Sequence, residues 1–330
     1  MARAAGVSVG TVSNVLNRPT AVADATRERV QAAIEDLGFV RNGSARQLRQ
    51  GSVTTVGALV LDIRNPFFTD LARGIEDRLA IDDFTLMLAN SDGDPGREEK
   101  YLKLFEEHGV RGMLVAPRGR SMEHLIEIQR RGVPVVLLDS PSSYPDMSSV
   151  SVDDVTGGEL AIAHLLSQGF RTITFLNGPH TIRQCEARRA GADRAVRALG
   201  LEPDDVIDEV TLPILNASGG DAAIAAWVEG HGGSAPEAIF AVNDLVAVGV
   251  QRRLRQLGGT DLLRRTAIVG YDDIEIAGEL AIPLTSVRQP THEMGYEAAD
   301  LLLRQAHGRS ARHTVFQPEL IIRASSVDTR

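Results

Sequence analysis

A chain of 330 residues, 43% of them hydrophobic, is too long for one core and points to two or three domains. Its single cysteine, Cys185, excludes an intramolecular disulfide, and no apolar run reaches the roughly 18 residues of a membrane span. A reducing cytoplasm is therefore expected, and secretion or membrane insertion is not. The net charge of −9 divides unevenly. Residues 1–50 hold seven Arg against four acids, and the other 280 residues hold 28 basic against 40 acidic side chains. Positive charge thus gathers at one end, where phosphate would be met, and the acidic remainder limits contact with a polyanion to that end.

In chain order, Gly6 can make a tight turn and Ser8 can cap the helix that follows. Val12, Val15 and Leu16 recur at i, i+3, i+4 as its buried stripe. Its other face offers Val9, Gly10, Thr11, Ser13, Asn14 and Asn17, small or amide side chains of the kind a DNA major groove accepts. Residues 24–37 predict a second helix with Val30, Ala33, Ile34 and Leu37 inward, Asp24 at its positive end and Gly38 as its stop. Residues 1–38 are expected to form three short helices, too small to bury much alone. Residues 41–52 are polar apart from Leu48, which stands between Arg46 and Arg49.

From Val53 onward, apolar runs of strand length alternate with amphipathic helices. Strands are predicted at 56–61, 84–88, 112–116, 134–138, 172–176, 238–242 and 267–270. Helices are predicted near 67–81, 96–108, 121–131, 156–168, 184–199, 219–229, 244–257 and 291–306. Continuous apolar strands imply parallel sheets covered on both faces, and two doubly wound α/β units follow. No Gly-x-Gly-x-x-Gly, Walker loop, His-Glu-x-x-His or Gly-x-Ser-x-Gly is present, so nucleotide-cofactor, metallopeptidase and serine-hydrolase chemistry find no motif. His180 with Cys185 lacks visible thiol activation. Asp272 and Asp273 are adjacent and diverge, which is a poor catalytic pair. No cofactor is expected.

The run Ala-Gly-Val-Ser…Thr-Val-Ser…Val-Leu-Asn over residues 5–17 resembles the recognition helix of the lactose-repressor/galactose-repressor family of transcription factors. The resemblance continues through the body in Asn-Pro-Phe-Phe at 65–68, Val-Asp-Asp at 152–154, Gly-Pro at 178–179, Arg-Arg-Ala-Gly at 188–191, Ala-Val-Asn-Asp at 241–244, Gly-Tyr-Asp-Asp at 270–273 and Ser-Val-Arg-Gln-Pro at 286–290. It implies a helix-turn-helix head at 1–40, a hinge at 41–52 and a periplasmic-binding-protein-like effector domain at 53–330. Subdomain 1 would take about 53–152 and 288–317, and subdomain 2 about 153–287 and 318–330, with crossings near 151–155, 285–290 and 317–319.

In the head, Ser8, Val9, Gly10, Thr11, Ser13, Asn14 and Asn17 would meet DNA. In the hinge, Leu48 would wedge into the minor groove beside Arg46 and Arg49. For the effector, the resemblance implies an aromatic wall at Phe67 and Phe68, an anchoring Arg188 and an accepting Asp272. Asp92 and Asn243 are added at neighbouring strand ends, while Asp244 could cap the helix it begins. The implied partners are an approximately palindromic operator and a small carbohydrate, bound by a cytoplasmic homodimer that is not an enzyme. A transporter's solute-binding protein or an α/β sugar-processing enzyme is the alternative. The sequence departs from the pattern in three places. Ile182, followed by Arg183, stands where some relatives carry a second Arg. The 212–218 loop lacks an aromatic residue, which disfavours a purine. Met1 stands where the family has Val, so the first helix is expected to be short.

Overall fold

The computed structural model describes residues 1–38, 53–118 and 122–327, with the Asn17 side chain also outside the described set. Two units result, a small head and a large α/β body from Thr54. The head holds helices α1 (Val9–Asn17) and α2 (Asp24–Asp36) with a short 3-10 turn, Pro19–Ala21, between them. The third expected helix is a single turn, in which Ala5 N–H donates to Met1 O at 2.9 Å and Val7 N–H to Ala2 O at 3.0 Å. Ala5, Val12, Val15, Val30 and Ala33 form the head's small core. Leu37, predicted inward, is exposed, because α2 ends before it can turn that side chain onto the core. Gly38 terminates the helix at φ +55°.

The body contains two six-stranded sheets. The first is built from β1 (Thr55–Val60), β2 (Thr85–Asn90), β3 (Met113–Val115), β4 (Val135–Leu138), β5 (Ser148–Val152) and β11 (His313–Phe316). Its order is β11-β5-β4-β3-β1-β2 and every pairing is parallel. The second contains β6 (Ile173–Asn177), β7 (Ile207–Thr211), β8 (Ala238–Ala241), β9 (Ala267–Asp272), β10 (Thr285–Arg288) and β12 (Glu319–Ile321). Its order is β12-β10-β9-β8-β6-β7, with β12 antiparallel at one edge. The chain therefore passes between the sheets after β5, after β10 and between β11 and β12. Strands β5, β7, β10, β11 and β12 have no counterpart among the predicted runs. β5 shows why: Ser148-Ser149-Val150-Ser151-Val152 is too polar to read as a buried strand, yet it is buried throughout. Ser148 Oγ accepts from Arg312 N–H at 3.1 Å, and Ser149 Oγ lies 3.0 Å from His313 Nδ1. Satisfied hydroxyls make that burial tolerable.

Helices cover both faces of each sheet. Around the first lie α3 (Pro66–Ala80), α4 (Pro95–Glu107), α5 (Met122–Arg130) and α12 (Thr291–Ala306). Around the second lie α6 (Asp154–Ser167), α7 (Arg183–Arg197), the short α8 (Pro203–Val206), α9 (Ala217–Gly230), α10 (Asp244–Arg265) and α11 (Glu275–Glu279). The predicted end of α10 at 257 is a real kink, with Gly258 and Gly259 non-helical before a last turn. Helices α6 and α7 touch backbone to backbone, since a methyl at Gly191 would land in the Val155 carbonyl and one at Gly158 in the Arg188 carbonyl. Both sheets place their reversal of strand order beside the first strand, between β1 and β3 and between β6 and β8. In doubly wound sheets, ligands bind at the carboxyl ends of strands at such points.

Candidate functional site

In the head, Ser8 has extended backbone and its Oγ accepts from Thr11 N–H at 3.0 Å, which makes it the cap of α1. Val9 is 78% exposed at the start of that helix, and Gly10 and Asn14 are exposed one turn apart. Thr11 and Ser13 are half-buried. An exposed valine and an exposed amide on one helix offer apolar and bidentate polar groups of the kinds that contact base edges. The Asn17 side chain and Arg46, Leu48 and Arg49 lie outside the described residues.

In the body, a buried polar cluster forms where the two subdomains face each other. Asp154, the first residue of α6, is fully buried and accepts from Arg188 Nε at 3.1 Å, Arg183 Nη2 at 2.9 Å and Tyr271 O–H at 3.3 Å. Arg188 also donates through Nη1 to Val242 O at 2.5 Å, beside the β6/β8 reversal. Its guanidinium lies over the Tyr271 ring, 3.5 Å from the centroid. Burial opposes the Arg188 charge, but Asp154, with Tyr271, Asp272 and Asp139, outweighs it and raises the pKa.

Subdomain 1 contributes Asp139, one residue past β4 and held at φ +51°. Gln184 Nε2 of α7 donates to both its carboxylate Oδ2 and its carbonyl, each at 2.7 Å. Burial, and then the neighbouring Asp154, push the Asp139 carboxyl up to about 7 against the pull of Arg183 and Arg188. Asp272, at the end of β9 with φ +103°, accepts from Gln289 Nε2 at 2.8 Å and from Asn65 Nδ2 of subdomain 1 at 3.3 Å. Burial raises it to about 6 against Arg188 and those two hydrogen bonds. A cavity of about 640 Å3 borders Phe67, Asp272, Gln289 and Thr291.

Three buried polar atoms here have no hydrogen-bond partner: Asp139 Oδ1, Arg183 Nε and Gln289 Oε1. Unsatisfied buried atoms cost about 1–3 kcal/mol each, and of these three residues Gln289 alone borders the cavity, while Asp139 and Arg183 belong to the buried cluster around Asp154.

The predicted contacts fare unequally. Arg188 and Asp272 belong to the cluster. Phe67 borders the cavity, and Phe68 packs edge-on against it, with centroids 5.0 Å apart, both within the subdomain 1 core. Asn243 caps α10, accepting from Val246 N–H at 2.9 Å, and donates to Leu215 O at 3.1 Å. Both its polar ends are used, and it displaces Asp244 from the expected capping role. Asp244 is instead a buried acceptor for Ser286 O–H at 2.7 Å and Ile274 N–H at 2.9 Å. Burial, and then Asp272, hold its carboxyl well above the usual range. Asp92 is exposed and engaged with Asn90, Arg97 and Arg64, apart from the cluster. Not named as contacts were Asp139, Asp154, Gln184, Asn65, Gln289 and Arg183, the last noted only as the neighbour of Ile182. Asn65, Asp154 and Gln289 stood inside the recognised runs, and Asp139 directly follows Val-Val-Leu-Leu, a strand-end position that could have singled it out.

Comparison with known proteins gives consistent results. Residues 1–42 match the profile described as bacterial regulatory proteins, lacI family, and residues 162–326 match a periplasmic binding protein-like domain. The chain is 34% identical to the HTH-type transcriptional regulator MalR of Streptomyces coelicolor, over 99% of this chain and 95% of that one. It is 30% identical to the HTH-type transcriptional repressor PurR of Photobacterium profundum, over 99% and 98%. Among solved structures it resembles a LacI family transcriptional regulator from Enterococcus faecium with bound ribose, at 31% identity and TM-score 0.75, covering 84% of this chain and all of that one.

Proposed function

The chain belongs to the lacI family of bacterial regulatory proteins, and from that premise we propose that it is a DNA-binding transcriptional repressor whose operator affinity is set by a small uncharged sugar held between the two subdomains at Asp139, Arg188, Asp272 and Gln289. The observation that carries this reading is the set of buried, partnerless polar atoms drawn from both subdomains. A polyhydroxylated ligand supplies O–H donors to Asp139 Oδ1 and Gln289 Oε1 and an acceptor to Arg183 Nε. Phe67 offers an apolar face on the cavity side. The relative solved with ribose supports this ligand class.

Binding across a cleft acts through differential affinity, because only the closed form engages both walls. Closure turns subdomain 1, to which the chain from the head connects, and in a homodimer that changes the separation of the two heads over a palindromic operator. Coupling of this kind is typically about 1–3 kcal/mol, roughly 5–150-fold in DNA affinity, and is reciprocal. The test is calorimetric titration of the full-length protein with a panel of mono- and disaccharides, with and without operator. Arg188→Ala and Asp272→Ala should abolish binding. Normal binding in both variants, or ligand affinity that ignores operator, contradicts the proposal.

A further inference from the structure

We propose that the cleft carries its own proton-controlled latch, in which Asp139 of subdomain 1, gripped by Gln184 and Arg183 of subdomain 2, holds the two subdomains together without any ligand. The geometry is specific. One Gln184 amide group donates to both the carbonyl and the carboxylate of Asp139, and Arg183 Nη2 lies 3.5 Å from the same carbonyl. At the same cluster, Asn65 Nδ2 of subdomain 1 and Gln289 Nε2 of the crossing segment donate to Asp272 of subdomain 2. Asp139 adopts a left-handed backbone that costs a non-glycine residue energy, and such strain persists where the surroundings over-determine it.

The groups facing Asp139 are Asp154 from α6, Arg183, Gln184 and Arg188 from α7, and Tyr271 from β9, with Asp272 next along the strand. Two carboxylates besides Asp139 thus share two guanidiniums, so closing the latch crowds like charges. Burial and Asp154 raise the closed-state carboxyl to about 7. Opening returns it to water, where an aspartate titrates near 3.9. The sign follows directly. Protons bind the closed form better, so closure is fully favoured below about pH 4 and weakens as pH rises towards 7. Linkage on Asp139 therefore weakens the closing equilibrium progressively as pH rises from about 4 towards 7, and little further above it. Asp272, raised to about 6, adds a smaller change in the same direction.

The test uses the full-length, unliganded protein. Spin labels go on exposed helix positions of the two subdomains, through Lys103→Cys and Arg197→Cys, with labelled chains diluted into excess unlabelled protein. Distance distributions are recorded from pH 5 to pH 9. Wild type should move from a short to a long distance as pH rises. Asp139→Asn, a permanent mimic of the protonated acid, should stay short and keep only the lesser response of Asp272. Gln184→Ala should be long throughout. A wild-type distance that ignores pH, or an Asp139→Asn protein with the full wild-type response, overturns the latch. The Asp139→Asn arm decides even if Gln184→Ala fails to fold. Because no sugar is used, failure here leaves the effector reading standing.

Discussion

Replacing Asp154 by alanine should strongly destabilise the body of the protein. The carboxylate is fully buried and holds three donors: Arg188 Nε at 3.1 Å, Arg183 Nη2 at 2.9 Å and Tyr271 O–H at 3.3 Å. The Arg188 side chain is only 7% exposed and would keep Val242 O and the Tyr271 ring, but no bonded counter-ion. Breaking a buried pair by removing one partner costs about 3–5 kcal/mol. Arg183, with 36% of its side chain exposed, can turn to water and adds little. Asp139 moderates the loss, because without Asp154 beside it its own carboxyl ionises more readily and partly neutralises Arg188. The expected cost is therefore about 3 kcal/mol, at the lower end of that range. Denaturant unfolding of the full-length protein at pH 7 measures it as a lower midpoint for the body at unchanged slope. A double variant, Asp154→Ala with Arg188→Ala, should recover a coupling of about 2 kcal/mol. A loss below about 1 kcal/mol for Asp154→Ala, or strict additivity in the double variant, would refute the view of Asp154 as the counter-ion that positions Arg188.

Gly191→Ala should destabilise by about 1–3 kcal/mol, since its methyl would overlap the Val155 carbonyl and force α6 from α7; a midpoint within error of wild type would show the contact is loose. Asn243→Ala should cost about 0.5–2 kcal/mol through the lost α10 cap, while sugar affinity measured by calorimetry stays within a few-fold. Exposed Val9 and Asn14 should alter which half-sites are selected from a random pool, by about 1–3 kcal/mol of discrimination, without shifting the unfolding midpoint of the head. An unchanged selected sequence in both variants would remove the α1 face from base recognition.

The local features of this protein follow from short-range chemistry that residues carry along the chain. Ser8 caps α1 through a bond three residues away, Gly6 and Gly38 turn where only a glycine is unstrained, and the apolar runs at β1, β4 and β8 are strands because nothing else of that length buries on both faces. Arg188 and Asp272 could be named from the motifs that hold them. What those motifs do not contain is partnership across sequence distance. Asp139 meets Gln184 45 residues away, Asn65 meets Asp272 207 residues away, and Tyr271 meets Asp154 117 residues away. An aspartate after an apolar run looks like any turn residue until the second sheet is placed opposite it. The serines of β5 read as loop until Arg312 and His313 arrive to satisfy them. Phe68, Asn243 and Asp92 show the same limit from the other side: each stands at a strand or helix end, and only the structure shows that core packing, a helix cap and a pair of surface arginines engage them. Burial decides which polar groups are free to act, and burial is a property of the assembled sheets, not of the order of residues along the chain.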